Sequence, residues 1–229
     1  AEDGIRDSVA SRGLGDVYKR QISAVILTLF YNALKPQEKL PIYQPAMVNY
    51  ELVDSSLQHI KKYHKIAPFS LINQNGLNIT DNDYSNKIYV ADFFFTTCPS
   101  ICPKMTANMG LIQEDIRTDN QVLLLSFSVT PEIDSVAQLK RYAIEKGVID
   151  SKWNLLTGDK KEIYELARKS YLAVKTSGDG GEHDMIHTEN FILVDPEQRI
   201  RGFYDGTDTT AMDELLSDIR VLQEEYPLP

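Results

Sequence analysis

The sequence predicts an α/β domain built on a central mixed β-sheet with helices packed on its faces. Two predominantly apolar runs, residues 88–95 and 122–129, are short and rich in β-formers. That is the pattern of strands buried on both faces of a parallel sheet. Helix-periodic segments alternate with them, and a terminal strand pair leads into a last helix, which completes an α/β order. The 229 residues, once the start is set aside, fit one domain of roughly 160–190 residues with a full core.

Each element has a local cause. Residues 1–21 mix acids with bases and show no apolar face, so they read as an assembly scar or a short cytoplasmic tail. Residues 22–34 are apolar but shorter than the about 17–25 that a membrane span needs. They read as the remaining part of an N-terminal anchor, with a signal-peptide core or a plain hydrophobic tail as the alternatives. Lys19 and Arg20 then fall on the cytoplasmic side. Residues 35–65, with Pro36, Pro41 and Pro45, read as a tether holding a short strand pair at 40–43 and 50–53. The domain is expected over 66–229.

Residues 69–80 form a hairpin about Asn75-Gly76. A helix is expected over 103–117, opened by Pro103 in its first turn. Asp134 or Ser135 caps the next helix, which turns Leu139, Tyr142 and Ala143 inward and stops at Gly147. A short strand follows at 153–156. Asp159 and Glu162 have capping-box spacing ahead of Ile163, Leu166 and Ala167. Gly178, Gly180 and Gly181 mark a flexible loop. Strands at 191–194 and 200–204 turn about Asp195-Pro196, and the last helix, from near Thr210, buries Met212, Leu215, Leu216, Ile219 and Leu222. This is the order of the thioredoxin-like fold with an extra N-terminal β-hairpin.

Open sheets of this kind place their chemistry beyond the strand carboxyl ends, and there the chain puts its only two cysteines, Cys98 and Cys102. They lie on a strand-to-helix turn, where unpaired N–H groups and the helix dipole favour thiolate. Pro99, Pro103 and the turn position suit an exposed loop. The spacing allows a disulfide or a shared soft metal ion such as Cu(I), and two buried cysteines acting as small hydrophobes are the bland alternative. Of the four histidines, His59 and His64 fall in the polar lead-in and read as solvent-facing. His187 lies just before the terminal hairpin, well placed to add an imidazole, and His183 competes on a looser segment. Met105 and Met109 fit core filling better than thioether ligation. Asp92, in an otherwise apolar strand, is either a desolvated carboxylate able to accept a proton from a thiol or a buried or strand-end hydrogen-bonding group. The net charge of −9 and the lack of a basic stripe exclude a nucleic-acid footprint. Two cysteines are too few for a disulfide scaffold, and no phosphate loop or Ser/His/Asp spacing is present.

The motifs Phe95-Thr-Thr-Cys-Pro-Ser-Ile-Cys-Pro103, Ser126-Phe-Ser-Val-Thr-Pro131, Trp153-Asn-Leu-Leu-Thr-Gly158 and His187-Thr followed by Ile-Leu-Val-Asp-Pro196 resemble the Sco (SenC) proteins. These are membrane-tethered, thioredoxin-like copper proteins of cytochrome c oxidase assembly. The resemblance runs from about Ile66 to Tyr226. It implies one copper per chain, as Cu(I) or Cu(II), held by Cys98, Cys102 and His187. It also implies a bacterial inner-membrane protein whose soluble domain faces the periplasm. Its partners would be the copper-centre subunit of the oxidase or another copper protein, together with a thiol reductant or a copper donor. A metallochaperone is the first reading, a thiol–disulfide reductase using the cysteine pair and Asp92 the second, and a peroxidase-like thiol enzyme the third. The chain departs from the family pattern at Ser100, Thr130 and Ile186, where aspartate is common.

Overall fold

The computed structural model describes residues 3–34, 39–48, 57–61, 63–174, 180–181 and 184–227. One unit is helix α1 (Asp3–Leu34), which runs unbroken across the expected boundary at residue 21. Its described side chains, 16–31 and 34, are exposed. No helix among the described residues is long and apolar enough to cross a membrane.

The second unit carries β1 (Ser70–Asn73), β2 (Asn78–Thr80), β3 (Ile88–Phe94), α2 (Cys102–Asp115), β4 (Val122–Ser128) and α3 (Val136–Lys146). There follow β5 (Trp153–Thr157), α4 (Lys160–Glu165) with a π turn (Leu166–Ser170), β6 (Asn190–Val194), β7 (Ile200–Asp205) and α5 (Thr209–Glu225). The seven strands form one sheet in the order β2-β1-β5-β4-β3-β6-β7. The central β5, β4 and β3 run parallel, and the flanking pairs are antiparallel. This is the thioredoxin-like α/β architecture that the element order predicts, with the expected hairpin at one edge.

Strand β3 shows why the apolar runs carry the fold. All seven of its residues are buried. Ile88, Val90 and Phe94 pack toward α2, α3 and α5, while Tyr89, Ala91 and Phe93 pack into the core on the opposite face. Such side chains contribute about 1.5–3 kcal/mol each when fully buried. The punctuation is local: Gly76 (φ 75°) closes the β1–β2 turn and Gly147 (φ 71°) ends α3, in backbone conformations that disfavour a Cβ. Of the two candidate caps for α3, Ser135 is the one used, accepting from the Gln138 N–H. Asp159 caps α4, but Glu162 turns away from the reciprocal bond and accepts from the Ser70 N–H instead.

The lead-in differs from the tether the prolines suggest. Residues 40–43 form no strand, yet Tyr43 donates to the Ile200 carbonyl, and the carbonyls of Leu40 and Pro41 accept from the Arg201 guanidinium. The segment is held by a buried cation rather than by a strand ladder. The expected partner strand at 50–53 lies outside the described residues. His64 is half-buried, not solvent-facing: its Nε2 lies 2.7 Å from the Ser170 carbonyl, and burial lowers its pKa against that hydrogen bond. His59 is exposed.

Candidate functional site

The parallel pairing of β3 with β4 sets the floor of the site. Asp92 stands opposite Ser126 and Phe94 opposite Ser128. Asp92 shares its strand face with Ile88, Val90 and Phe94, the face against which both cysteines pack. The indole N–H of Trp153 donates to Ser126 Oγ at 2.8 Å, and the Ser126 hydroxyl donates to Asp92. Burial pushes the Asp92 carboxyl up to about 7, against the lowering effect of that hydroxyl. The buried reading of Asp92 is the one realised, and its charge bears on Cys102 and Tyr142 above it.

Beyond Phe94 the chain turns. The Cys98 N–H donates to the Phe95 carbonyl, and the first N–H of α2, that of Cys102, points at Cys98 Sγ at 3.5 Å. Burial alone would raise the Cys98 thiol, but the N–H groups of Cys102 and Ser100 outweigh it and bring its pKa down to about 7. Burial pushes Cys102 up to about 12, and neighbouring Cys98 and Asp92 add to the rise. One sulfur is therefore a ready nucleophile and the other a held proton. Both are free thiols.

The expectation of an exposed pair needs correction. Thr97, Pro99 and Ser100 face solvent, but Cys98 is 6% and Cys102 3% exposed. The turn folds its sulfurs back onto Phe94, Met105 and Met109, so backbone exposure and side-chain exposure part company. Both methionines are fully buried core filler.

The turn is fastened by a carboxylate that the sequence reading treated only as a candidate cap. Asp134 is completely buried and accepts from the Thr96 N–H (3.1 Å), the Thr96 hydroxyl (2.5 Å), the Ser128 hydroxyl (2.6 Å) and the Thr130 hydroxyl (3.2 Å). Its signal was confounded because Asp before a helix is ordinarily a cap.

His187 reaches the same rim from the other side. Strands β3 and β6 are antiparallel, with Ala91 opposite Ile192. That register carries the residues before β6 toward Phe95. The imidazole meets the Phe95 ring edge-on, with centroids 5.5 Å apart. His187 is exposed, and it lines a cavity of ≈ 400 Å³ together with Ile101, Met185 and Thr188. Its segment is pinned three residues earlier by a buried ion pair, Arg168 to Asp184 at 2.7 Å, with the Gly180 N–H also donating to Asp184. Composition gave no hint of that pair. Ile186 is buried between the exposed Met185 and His187.

The structure thus brings Cys98, Cys102 and Asp92 together and sets His187 across Phe95 from them. Among the described residues no three His, Cys, Asp or Glu side chains converge tightly enough to hold a metal ion. His183 lies outside the described residues. Two thiols with an imidazole at the adjoining rim are nevertheless a donor set that soft metal ions take.

Comparison with known proteins shows the family. The family model described as SCO1/SenC matches residues 58–223. The chain is 36% identical over 159 residues to the SCO1 protein homolog of Bacillus subtilis (strain 168), across 69% of this chain and 82% of that one. It is similar to the solved structure of BsSco, described as a Sco-family cytochrome c oxidase assembly protein with a disulfide switch. That likeness has 35% identity and a TM-score of 0.60, and covers 69% of this chain and 93% of that one. It is also similar to Arabidopsis thaliana ScoI with copper bound, at 29% identity and a TM-score of 0.54, covering 67% of this chain and 97% of that one. The chain belongs to the SCO1/SenC family.

Proposed function

We propose that this chain is a copper-binding protein of cytochrome c oxidase assembly, and that Cys98, Cys102 and His187 together carry one copper ion to the oxidase's dinuclear centre. The observation that carries the reading is a buried dithiol at the end of β3 with an imidazole on the facing rim, across Phe95. Family membership supports it, as does the copper bound by the Arabidopsis relative. Thiolates suit Cu(I), and an added imidazole lets the same site accept Cu(II).

In this reading the chain's own groups act in sequence. Cys98 offers its thiolate first. Cys102 gives up its proton as the metal arrives, and Asp92 beneath it is a candidate acceptor. His187 must swing past the Phe95 edge to complete the set. Three side chains leave a position open through which an acceptor's cysteine or methionine enters before one of these ligands leaves. Residues 22–34 belong to a membrane-anchoring segment in this reading, with the domain on the periplasmic side of a bacterial inner membrane.

Copper titration of the reduced domain tests the reading. It should show one ion per chain, with affinity abolished by Cys98→Ala or Cys102→Ala and sharply weakened by His187→Ala. An unchanged spectrum and stoichiometry in His187→Ala would sink the three-ligand site. The unequal pKa values of the two thiols, about 7 and about 12, favour a second reading, thiol–disulfide exchange with a partner's copper-site cysteines. That activity needs Cys98 and Cys102 but not His187.

A further inference from the structure

Two pockets flank the cysteine turn, and Cys98 opens into the one that His187 does not line. This second pocket, ≈ 340 Å³, lies between the turn and α3 and is lined by Cys98, Gln138, Arg141, Glu145 and Lys146 among others. Lys146 pairs with Glu145 at 2.8 Å and sits 5.4 Å from the Tyr142 ring centroid, so those two charges offset one another. Arg141 is held differently. Its Nη2 donates to Gln138 Oε1 at 2.5 Å, and Gln138 Nε2 donates in turn to Thr96 Oγ1 at 3.0 Å. Among the described residues this exposed guanidinium has no carboxylate within salt-bridge reach, and the Gln138 amide links it to Thr96 of the turn. The nearby Asp134 carboxylate is completely buried behind Thr96 and spent on four donors.

We propose that this pocket binds a carboxylate carried beside the sulfur that reacts with Cys98, so that Arg141 selects anionic thiols and disulfides over neutral or cationic ones. A guanidinium fork matches a carboxylate in shape as well as charge. The carboxylate belongs either to a small disulfide or to an acidic residue next to a polypeptide cysteine, and the chemistry is the same for both. The inference goes beyond the copper reading, because it requires neither copper nor His187. In the exchange, the Cys98 thiolate attacks one sulfur of the incoming disulfide, whose S–S bond breaks to release one thiolate. Cys102, its proton passed to water, then attacks Cys98 Sγ and expels the second thiolate. The chain's dithiol is oxidised by two electrons and the incoming disulfide is reduced to two thiols.

The test is a ratio of rates on the full chain, which cancels the fraction of Cys98 present as thiolate. Iodoacetate is compared with iodoacetamide, oxidised glutathione with cystamine, and a cysteine-peptide disulfide flanked by Asp with the same peptide flanked by Asn. Arg141→Gln should lower each anionic-to-uncharged or anionic-to-cationic ratio about threefold to tenfold. The iodoacetamide rate serves as the denominator that absorbs any change in thiolate fraction, and Arg141→Lys should restore part of the ratio. The faster of the glutathione and peptide arms identifies the source of the carboxylate. Ratios that do not move in Arg141→Gln overturn the proposal. So does an equal drop in Arg220→Gln, a single-charge change on the exposed face of α5. Failure of the copper titration with these ratios intact would remove the copper reading and leave this one standing.

Discussion

The two sides of the site are built in opposite ways. On the cysteine side, a buried strand end, a helix start and the completely buried Asp134 hold Cys98 and Cys102 at 6% and 3% exposure. On the histidine side, an exposed ring rests against Phe95 at the end of a loop whose anchor, the Arg168–Asp184 pair, lies three residues away. The difference teaches that the two thiol side chains are buried in the fold itself, whereas the imidazole is exposed on a segment held on either side of it, by Asp184 and buried Ile186 before it and by the Glu189 carbonyl after it. Under the proposed copper reading that division would suit a carrier, because the ligand with the freest side chain would be the easiest to release.

The largest expected effect breaks the histidine side. Removing Asp184 takes away one buried, hydrogen-bonded partner of the Arg168 guanidinium, and breaking a buried charge pair costs up to about 3–5 kcal/mol. Asp184→Ala should lower the urea midpoint accordingly and weaken copper affinity, while Cys98 keeps its alkylation rate at pH 7. If Cys98 slows as well, the two sides are coupled and the comparison fails.

Asp92 sharpens the cysteine side through pH. Its carboxyl titrates near 7 when folded, against an ordinary 3.8. Between those values the folded chain keeps a proton that the unfolded chain has lost, so stability falls as pH rises from about 4 to 7. The loss amounts to about 4 kcal/mol in all. Asp92→Asn should flatten that slope, matching the parent near pH 3 and exceeding it at pH 8 in denaturation curves. A parent whose stability is level from pH 4 to 8 would contradict a raised pKa at this position.

Asp134→Ala acts on the same side at smaller cost, about 2–3 kcal/mol, because the Thr96 N–H and the buried Ser128 hydroxyl lose their acceptor while the half-buried Thr96 and Thr130 hydroxyls can turn to water. The telling readout is chemical. In the parent, Cys98 alkylation should rise with a midpoint near pH 7, with Cys102 silent across the neutral range. With the staple gone, the Cys98 midpoint should drift toward the ordinary 9.0, since the N–H groups aimed at Sγ lose their frame. An unmoved midpoint would reduce Asp134 to a structural role.

What the sequence disclosed follows the same divide. The strand runs, the Asn75-Gly76 turn, the helix stop at Gly147 and the cysteine turn were legible because each rests on interactions a few residues apart. Asp92 stood out as a charge inside an apolar strand. Less visible were the features that depend on distant partners. Asp134 looked like one cap among two, and the Arg168–Asp184 pair joins residues 16 apart in the chain. The lead-in's docking depends on Arg201, some 160 residues away in the chain. Burial of the sulfurs was missed because prolines report the backbone path and not the direction of a side chain.

The smallest effect on stability is expected at a residue whose loss should still weaken copper binding sharply. His187 is exposed and contributes a ring edge to Phe95 rather than core packing, so His187→Ala should change unfolding free energy by under about 0.5 kcal/mol. Its disulfide-exchange rate should match the parent's, since neither thiol is bonded to it. Copper affinity alone should drop. A variant that keeps its copper would mean that the loop never closes on the thiolates, leaving the dithiol as the whole of the working site. One that loses stability and exchange together would mean that the loop braces the turn through Phe95.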